Sequence, residues 1–167
     1  MTYSVRPGAW YYNRIMKNFY KKGITAVELL IVISVLGIIF SIIIPQFSKI
    51  KENQLLKNGV EDIVSSINKA RGQTLASINS SSYGVHFQSD KVIIFEGTVF
   101  SANDPDNEIL DITSPVAIST ITITGGGTYF YFNRLNGMPS ATGTIVVSST
   151  NFTKSISISA TGIVSVN

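Results

Sequence analysis

The stretch KKGITAVELLIVISVLGIIFSIIIP, residues 21–45, decides the fold of this chain. Two lysines and a glycine lead into an apolar run from Ile24 to Ile44, in which Glu28 is the only charged side chain. At about 1.5 Å per residue, a helix of this length reaches roughly 30 Å, the thickness of the hydrocarbon core of a bilayer. A buried core helix is the alternative, but such a helix is usually shorter and amphipathic. The run therefore predicts a membrane-spanning helix over residues 24–45.

The order of the signals in this stretch resembles that of a known family. A secretory signal peptide places its small cleavage-site residues after the apolar core, whereas Gly23 stands before the apolar run and directly after the lysines. This order resembles the type III signal of type IV pilins and type II secretion pseudopilins. The resemblance implies cleavage by the prepilin peptidase between Gly23 and Ile24, N-methylation of Ile24, and a mature chain that keeps the helix. The first mature residue of the family is usually phenylalanine, and Ile24 keeps its apolar character.

Two further residues of the helix match the same family. Gly37 and Pro45 fall where pilins commonly carry a helix-loosening glycine and a proline. Proline inside a helix removes one backbone hydrogen bond and clashes with the preceding turn, so a kink is expected at Pro45.

Charge is unevenly divided along the chain. The charged residues before Ile24 are all basic, namely Arg6, Arg14, Lys17, Lys21 and Lys22. Of the 13 basic and 10 acidic side chains in the sequence, residues 24–167 therefore keep 8 basic and all 10 acidic ones, a net charge of −2. The basic character belongs to the leader, and under the positive-inside rule it marks the cytoplasmic flank of the span. The sequence has no cysteine, which excludes disulfides and thiolate metal ligands.

Residues 1–20 are long for a prepilin leader. Their aromatic side chains could rest in the membrane interface, a group that comprises Trp10, Tyr11, Tyr12, Phe19 and Tyr20. The simpler interpretations are a disposable leader, or a misassigned start with Met16 as the true first residue.

Beyond Pro45 the pattern indicates an amphipathic helix over residues 46–80. Apolar residues recur at helical spacings with charged residues between them, so that one face can pack on a folded domain. The apolar stripe consists of Phe47, Ile50, Leu56, Val60, Ile63, Ile67, Ala70 and Ile78. Gly59 and Gly72 each weaken a helix by about 1 kcal/mol relative to alanine, and Asn79-Ser80-Ser81-Ser82 marks its end.

From residue 83 onward the pattern switches to short strands. Predicted strands cover residues 83–88, 91–96, 116–124, 128–133, 143–149, 153–160 and 163–166. Ser89-Asp90 predicts a hairpin between the first two strands, and residues 143–149 and 153–160 are predicted to form another pair. Residues 116–124 alternate apolar with small or polar side chains, as in a half-buried strand. Closely spaced strands with glycine-rich turns, such as Gly125-Gly126-Gly127, favour an antiparallel sheet. Residues 101–115 are the one long segment expected to be irregular.

The C-terminal layout resembles GspH/FimT-type minor pilins. The matching parts are Phe132 followed by Gly137, the sequence GTIVV at residues 143–147, and an ISxxG-like end at residues 158–162. The resemblance implies a pilin-like α+β fold, in which a long N-terminal helix, half transmembrane and half amphipathic, packs on an antiparallel β-sheet head. The expected segments are a cleaved leader at 1–23, a transmembrane and filament-core helix at 24–45, an amphipathic helix at 46–80 and a β-rich head at 81–167.

Glu28 and Gly23 are the candidate functional residues with the strongest support from the sequence. A charge at the bilayer centre costs on the order of 3 kcal/mol, so an intramembrane carboxylate indicates a function. A suitable partner for Glu28 is the α-amine that cleavage creates at Ile24 of a neighbouring subunit; the alternative is a hydrated carboxylate near the membrane edge, close to Lys22. Gly23 lets a protease approach the backbone because it has no Cβ, and a mere helix boundary is the alternative.

The remaining candidates have weaker patterns. Oxygen-bearing residues crowd one loop, but the spacing of an EF-hand is missing, which favours a solvated acidic loop over a Ca²⁺ site. That loop holds Asp104, Asp106, Asn107, Glu108 and Asp111. His86 is the only histidine and has no acid beside it in sequence, so it is expected to be a plain strand residue. We expect no metal, no cofactor and no enzymatic activity.

Some FimT-like proteins are thought to bind DNA through basic residues near the C-terminus, because phosphate contacts require clustered lysine or arginine. This chain has no basic residue after Lys154, and residues 24–167 are net acidic. The aromatic side chains of residues 129–132 could stack on bases, but strand alternation places half of them in a core. Nucleic acid is therefore not expected as a partner.

Taken together, the sequence predicts a structural subunit, a minor pilin or pseudopilin of a type IV pilus-like or type II secretion filament. Its expected partners are the prepilin peptidase, other pilins or pseudopilins in a helical filament, the inner-membrane assembly platform and membrane lipid. Its expected location is the inner (cytoplasmic) membrane, as a single-pass protein with its head in the periplasm or outside the cell, and then the filament. A filament-borne module for DNA uptake or adhesion is the alternative; a major or minor subunit, and a pilus or a secretion system, both stay open.

Overall fold

A computed structural model describes residues 23–167 of the chain. The predictions for residues 1–22, including the interfacial aromatic group and the start at Met16, lie outside the described residues. The described part contains one long α-helix, one 3₁₀ helix and eight strands. The chain divides into two compact units between Ile42 and Ile43, inside the long helix. The second unit therefore contains the rest of that helix and all the described strands.

The helix α1, Ala26–Leu75, continues through Pro45 without an interruption in its assignment. A bend of its axis at Pro45 stays a prediction. Every residue from Gly23 to Ile50 is exposed in the isolated chain. Because these side chains are almost all apolar, this part of α1 needs lipid or neighbouring helices to cover it.

The second half of α1 buries most of the predicted apolar stripe. Leu56, Val60, Ile63, Ile67 and Ala70 are all buried, as expected. The prediction was wrong for the ends of the stripe, since Phe47, Ile50 and Ile78 are exposed. Partial burial begins only at Glu52, so the sheets cover a shorter part of the helix than the apolar pattern suggests.

α1 ends at Leu75, earlier than the predicted end at residue 80. Ser77, Asn79 and Ser80 have φ values of 51°, 52° and 55°. This left-handed region is incompatible with a continuing right-handed helix. Residues 78–80 instead form a short 3₁₀ turn that leads into the first strand.

The strands form two antiparallel sheets of four strands each. Their bounds are β1 Tyr83–Phe87, β2 Lys91–Glu96, β3 Glu108–Asp111, β4 Ala117–Ile123, β5 Tyr129–Tyr131, β6 Gly143–Ser148, β7 Thr153–Ile158 and β8 Val164–Val166. The first sheet has the order β3-β2-β1-β5, and the second has the order β4-β6-β7-β8. The predicted α+β architecture, with one long helix and antiparallel strands, is confirmed.

Two strand pairings were anticipated and one strand was not. β1 and β2 form the predicted hairpin, in which the Gln88 N–H donates to the Lys91 carbonyl at 2.9 Å. β6 and β7 form the second predicted pair. β3 lies within the segment predicted to be irregular, which corrects that prediction. Its sequence is acidic at both ends, and it is a strand because it pairs with the edge of β2, Val92 opposite Leu110.

β4 contains a β-bulge that the alternation argument overlooked. The apolar residues of this strand change phase, from Val116 and Ile118 to Ile121 and Ile123. The pairing with β6 shifts at the same place, since Ile118 is opposite Val147 whereas Thr120 is opposite Val146. The extra residue, Ser119, compensates for the phase change and keeps the isoleucines on the face of the buried Val147 and Ile145.

One hydrophobic core joins the second half of α1 to both sheets. It includes Ile63 and Ile67 of the helix, Val85, Phe87 and Phe130 of the first sheet, and Ile145, Val147 and Ile156 of the second. The helix approaches the start of β4 closely at Gly59, where an added Cβ would lie 3.2 Å from Val116 Cγ1. Gly59 therefore has a packing role as well as a cost in helix propensity.

Candidate functional site

The predicted cleavage site lies immediately before the start of the helix. Gly23, Ile24 and Thr25 have no regular secondary structure, and α1 begins at Ala26. The Thr25 hydroxyl Oγ1 accepts a hydrogen bond from the Glu28 N–H at 3.2 Å, and the Thr25 carbonyl accepts one from the Leu29 N–H at 3.1 Å. Thr25 is thus the N-cap of α1. Sequence reasoning missed this residue, although Thr25-Ala26-Val27-Glu28 has the T-x-x-E pattern of a capping box.

Glu28 occupies the first turn of α1, and its side chain is exposed. The unsatisfied N–H groups at a helix N-terminus carry partial positive charge, which favours a carboxylate at this position. The bond to Thr25 uses the backbone N–H of Glu28 and leaves its carboxylate oxygens available. The structure therefore places Glu28 one turn from Ile24, with an exposed side chain.

The apolar half of α1 satisfies its own polar groups. The Ser34 hydroxyl donates to the Leu30 carbonyl at 2.7 Å, and the Ser41 hydroxyl donates to the Ile38 carbonyl at 3.0 Å. Such internal bonds make a hydroxyl tolerable in a medium without water. Within the described residues, α1 is the one helix long and apolar enough to cross a membrane, judged by length and composition, and its apolar part is not buried within the chain.

Gly37 and Pro45 lie within the continuous helix. Beyond its own neighbours in the helix, no described atom lies within 4 Å of the position that a Cβ would take at Gly37. Packing among residues 23–167 therefore does not require a glycine there. The roles predicted for both residues concern bending and packing in a filament, and they stay predictions.

In the second unit, two polar junctions hold the strand connections to α1. At the first, Glu52 accepts two hydrogen bonds from Asn151, from its backbone N–H and its side-chain amide, each at 2.7 Å. Asn151 lies in the turn between β6 and β7. The hydrogen bond from the Asn151 side chain, together with that from its backbone, lowers the pKa of the Glu52 carboxyl below its ordinary value. The ionised form of Glu52 therefore ties the β6–β7 turn to the helix.

The second junction, which we name the Arg71 junction, contains Arg71, Gly137, Thr161 and Gly162. Arg71 Nε donates to the Gly137 carbonyl at 3.0 Å, and Nη2 donates to the Thr161 carbonyl at 3.2 Å. Gly162 has a φ of 78°, and a Cβ there would lie 2.8 Å from the Gly137 oxygen and 3.0 Å from Arg71 Nε. Gly137 and Gly162, which belong to two separate parts of the GspH/FimT-like pattern in the sequence, are thus brought together around one guanidinium group.

His86 is buried on β1, in an aromatic cluster on the opposite face of the first sheet from Val85 and Phe87. Its ring stacks on Phe100, with ring centroids 3.9 Å apart and planes 8° apart. Its Nδ1 lies 3.3 Å from the Thr128 hydroxyl, and burial lowers the pKa of the His86 ring. In the described residues, 23–167, no group of three or more histidine or acidic side chains is placed to hold a metal ion. The ring has packing partners, which agrees with its predicted role as a strand residue.

The acidic residues predicted to share one loop lie in the β2–β3 loop and on β3, and one of them is tied to the helix. The Lys69 ammonium and the Glu108 carboxylate form an ion pair. Asp104 Oδ1 accepts a hydrogen bond from the Asp106 N–H at 3.0 Å. These carboxylates thus have protein partners, and their arrangement gives no support to a Ca²⁺ site.

The aromatic run of β5 divides between the two faces of the first sheet. Phe130 and Phe132 are buried in the core, as the alternation predicted. Tyr129 is partly exposed and packs with its ring edge-on against Phe95, at a centroid distance of 5.6 Å. Gly84 leaves the space that the Phe95 ring occupies, because a Cβ at that position would overlap the ring. Tyr129 therefore already has an aromatic neighbour within the chain.

A comparison with protein families supplies the decisive observation. The family described as type II transport protein GspH matches residues 59–162, which is more than half of the chain. The chain belongs to the GspH family. No curated protein and no solved structure gives a significant match to it. The predicted resemblance to GspH/FimT-type minor pilins is thereby confirmed.

Membership in the GspH family determines the general role of the chain. The family consists of pseudopilins, which are structural rather than catalytic, so the chain is a pseudopilin or minor pilin subunit of a secretion filament that assembles with other pseudopilins. The matched segment begins at Gly59 and contains neither Glu28 nor the apolar half of α1. The N-terminal signal and the family match are therefore independent observations, and together they fit a single-pass, membrane-anchored pseudopilin.

Proposed function

We propose that this pseudopilin is made as a precursor in the inner membrane, cut between Gly23 and Ile24 by the prepilin peptidase, and methylated at Ile24. It is then drawn by the inner-membrane assembly platform into the filament of a type II secretion system, where Glu28 pairs with a neighbouring subunit. The observation that carries the proposal is the arrangement at the helix start. A non-helical Gly23-Ile24 step stands directly before the capped helix, with Glu28 in its first turn.

The position of the helix start supports cleavage at this bond. A protease binds its substrate in an extended conformation, and a helical peptide bond would first have to be unwound. The Gly23–Ile24 bond lies before Thr25, so the cut leaves every hydrogen bond of α1 intact. The lysines of the leader place this end of the helix on the cytoplasmic side under the positive-inside rule, and the β-rich unit follows on the periplasmic side.

Glu28 acts after the cut. The apolar side chains of α1 leave lipid and pack against other subunits, and the new α-amine of Ile24 is the positive group that a buried carboxylate requires. A pair between Glu28 of one subunit and Ile24 of its neighbour neutralises both charges and sets the axial position of the incoming chain.

Processing is tested with Gly23→Leu, and Gly8→Leu in the leader serves as the matched control. Intact-mass measurement of the membrane-extracted protein is expected to give a chain that starts at Ile24 and carries one methyl group, both for the wild type and for Gly8→Leu. Gly23→Leu is expected to keep residues 1–23. A Gly23→Leu chain of the normal processed mass would contradict the cleavage site.

The role of Glu28 is tested separately, with Glu28→Ala and, as the control on the same helix, Ser34→Ala. Both chains are expected to be processed. Glu28→Ala should remain in the membrane fraction and fail to co-purify with the other pseudopilins, whereas Ser34→Ala should co-purify normally. Normal incorporation of Glu28→Ala would remove the proposed pairing and leave the cleavage site unaffected.

A further inference from the structure

β8 exposes main-chain groups at the open edge of the second sheet. Ser155 and Asn167 exchange both of their backbone hydrogen bonds, at 2.9 and 3.0 Å. Because such pairs alternate along an antiparallel ladder, Ser165 also bonds to β7, whereas the N–H and C=O groups of Val164 and Val166 point away from it. No strand pairs on that side within residues 23–167.

The other three sheet edges carry features that block the addition of a strand. β4 has the bulge at Ser119. β3 carries acidic residues at both ends, one of them paired with Lys69. At β5, the outward main chain of Tyr131 is occupied by Ser140, which donates from its N–H to the Tyr131 carbonyl at 2.7 Å. Val164-Ser165-Val166 has no charge and no proline, so among the described strands β8 alone has an edge without such protection.

A groove of about 660 Å³ lies between β8 and one face of α1. Its apolar lining comes from Val60, Val64 and Val166, and its charged lining comes from Lys57, Lys154 and Glu61. The helix face from residue 57 to residue 68 is roughly 16 Å long, the length of about five residues in an extended strand. The helix face that lines the groove is therefore about as long as a short strand, and two of the three charged lining residues are basic.

We propose that the edge of β8 and this groove together bind an extended segment of another protein as an added β-strand. Main-chain groups of that segment pair with Val164 and Val166. Its side chains opposite these valines point to the same face of the sheet, where apolar residues contact the exposed Val166 and the partly buried Val64. A carboxylate on the segment lies near Lys57 and Lys154. The partner is thus recognised by an extended backbone, alternating apolar residues and one acid.

The probe is an immobilised library of peptides of about nine residues, with valine or isoleucine at alternate positions and one aspartate at a varied position. It is applied to the full chain in detergent micelles. Val166→Pro removes an N–H that β7 does not use, so the fold of the sheet is preserved. Val166→Thr keeps the N–H and the side-chain volume and is the matched control. Peptides selected on the wild type are expected to bind Val166→Pro on the order of tenfold more weakly and Val166→Thr as well as the wild type.

Two measurements do not depend on the proline variant. N-methylation of every second amide of a selected peptide should abolish binding to the wild-type chain when the methylated amides face β8. It should leave binding unchanged when they point away from β8. Lys57→Glu combined with Lys154→Glu should weaken the aspartate peptides but not their asparagine versions.

Three outcomes would overturn the proposal. In the first, no peptide binds. In the second, both sets of N-methylated peptides lose binding equally. In the third, the chain forms a dimer that Val166→Pro converts to a monomer. In the last case the edge of β8 binds a second copy of this chain. None of these readouts involves processing or filament incorporation, so the result is independent of the proposed roles of Gly23 and Glu28.

Discussion

Thr25 determines where the helix begins, and through that it determines the environment of both candidate functional residues. Its hydroxyl holds the Glu28 N–H, so the residues before it stay outside the helix and Glu28 stays in the first turn. A change at Thr25 alters the helix start without touching the scissile bond or the carboxylate.

Thr25→Ala is expected to loosen the first turn of α1 by about 1 kcal/mol, the usual contribution of an N-cap side chain. The measurement is amide hydrogen exchange at Glu28 in micelles, which should accelerate about fivefold. Thr25→Ser keeps the capping oxygen and should exchange like the wild type. Unchanged exchange in Thr25→Ala would show that the hydroxyl does not cap the helix.

Glu52 gives the β6–β7 turn a dependence on pH. Its pKa is lowered in the folded chain by the hydrogen bonds from Asn151. A carboxyl of this kind contributes stability above its unfolded pKa, and that contribution is lost as the pH falls through the lower, folded pKa. We therefore expect the protection factor of the Asn151 amide, that is, its exchange rate relative to the intrinsic rate at the same pH, to fall below about pH 4.5. Glu52→Gln should remove this pH dependence, whereas Glu61→Gln, on the same helix but lining the groove, should retain it.

At the scale of elements, the Arg71 junction joins three segments that are far apart in sequence. One guanidinium group bonds to the loop before β6 and to the turn before β8. The planar fork of arginine suits this arrangement because two of its N–H groups can serve two carbonyls at once. This arrangement gives a physical reason for Gly137 and Gly162 in the C-terminal segment.

Gly162→Ala is expected to destabilise the second unit by roughly 2 kcal/mol, since alanine meets both the positive φ and the crowding by Arg71 and Gly137. Gly125→Ala is the matched control, because Gly125 has a φ of 90° but open space around its Cβ position. The measurement is thermal unfolding of the full chain in micelles, followed by near-ultraviolet circular dichroism. Equal destabilisation by the two substitutions would mean that the Arg71 junction contributes no crowding.

The elements differ in how far local sequence could predict them. The spacing of apolar residues predicts the helix and most strands, and Ser89-Asp90 predicts the first hairpin, because these signals are contained in a few neighbouring residues. β3 could not be found in this way, since Glu108-Ile109-Leu110-Asp111 becomes a strand only through β2. The cluster around His86 was missed for a related reason. Phe100 and Tyr129 reach it from a distant loop and another strand. Thr25 differs from these residues, because the T-x-x-E capping pattern of residues 25–28 is local and could have been recognised in the sequence.

At the scale of the whole molecule, the net charge of the described part is negative although that of the full sequence is positive. The formal net charge is +3 for the full sequence and −2 without residues 1–23. Within residues 23–167, basic residues are outnumbered by acidic ones and none follows Lys154 in the sequence, which does not favour the clustered basic surface that nucleic acid requires.

We therefore expect no retardation of double-stranded DNA by the processed full chain in a gel-shift experiment at moderate salt. The uncut Gly23→Leu precursor, which keeps its basic leader, is the comparison for non-specific binding. Strong, salt-resistant retardation by the processed chain would contradict the structural role and favour the DNA-uptake alternative.

The glycine run at residues 125–127 carries the chain from β4, in the second sheet, to β5, in the first. The two sheets are consequently interleaved in chain order. The first sheet is complete only once β5 has been synthesised, and β4 has no paired strand until β6 follows. Neither sheet is therefore built from one continuous segment of the chain. We expect a single cooperative unfolding transition for the second unit, with coincident loss of far- and near-ultraviolet dichroism of its strands and aromatic rings. A chain that stops between β4 and β5 would lack strands of both sheets, and no stopping point along the chain completes the second sheet before the first.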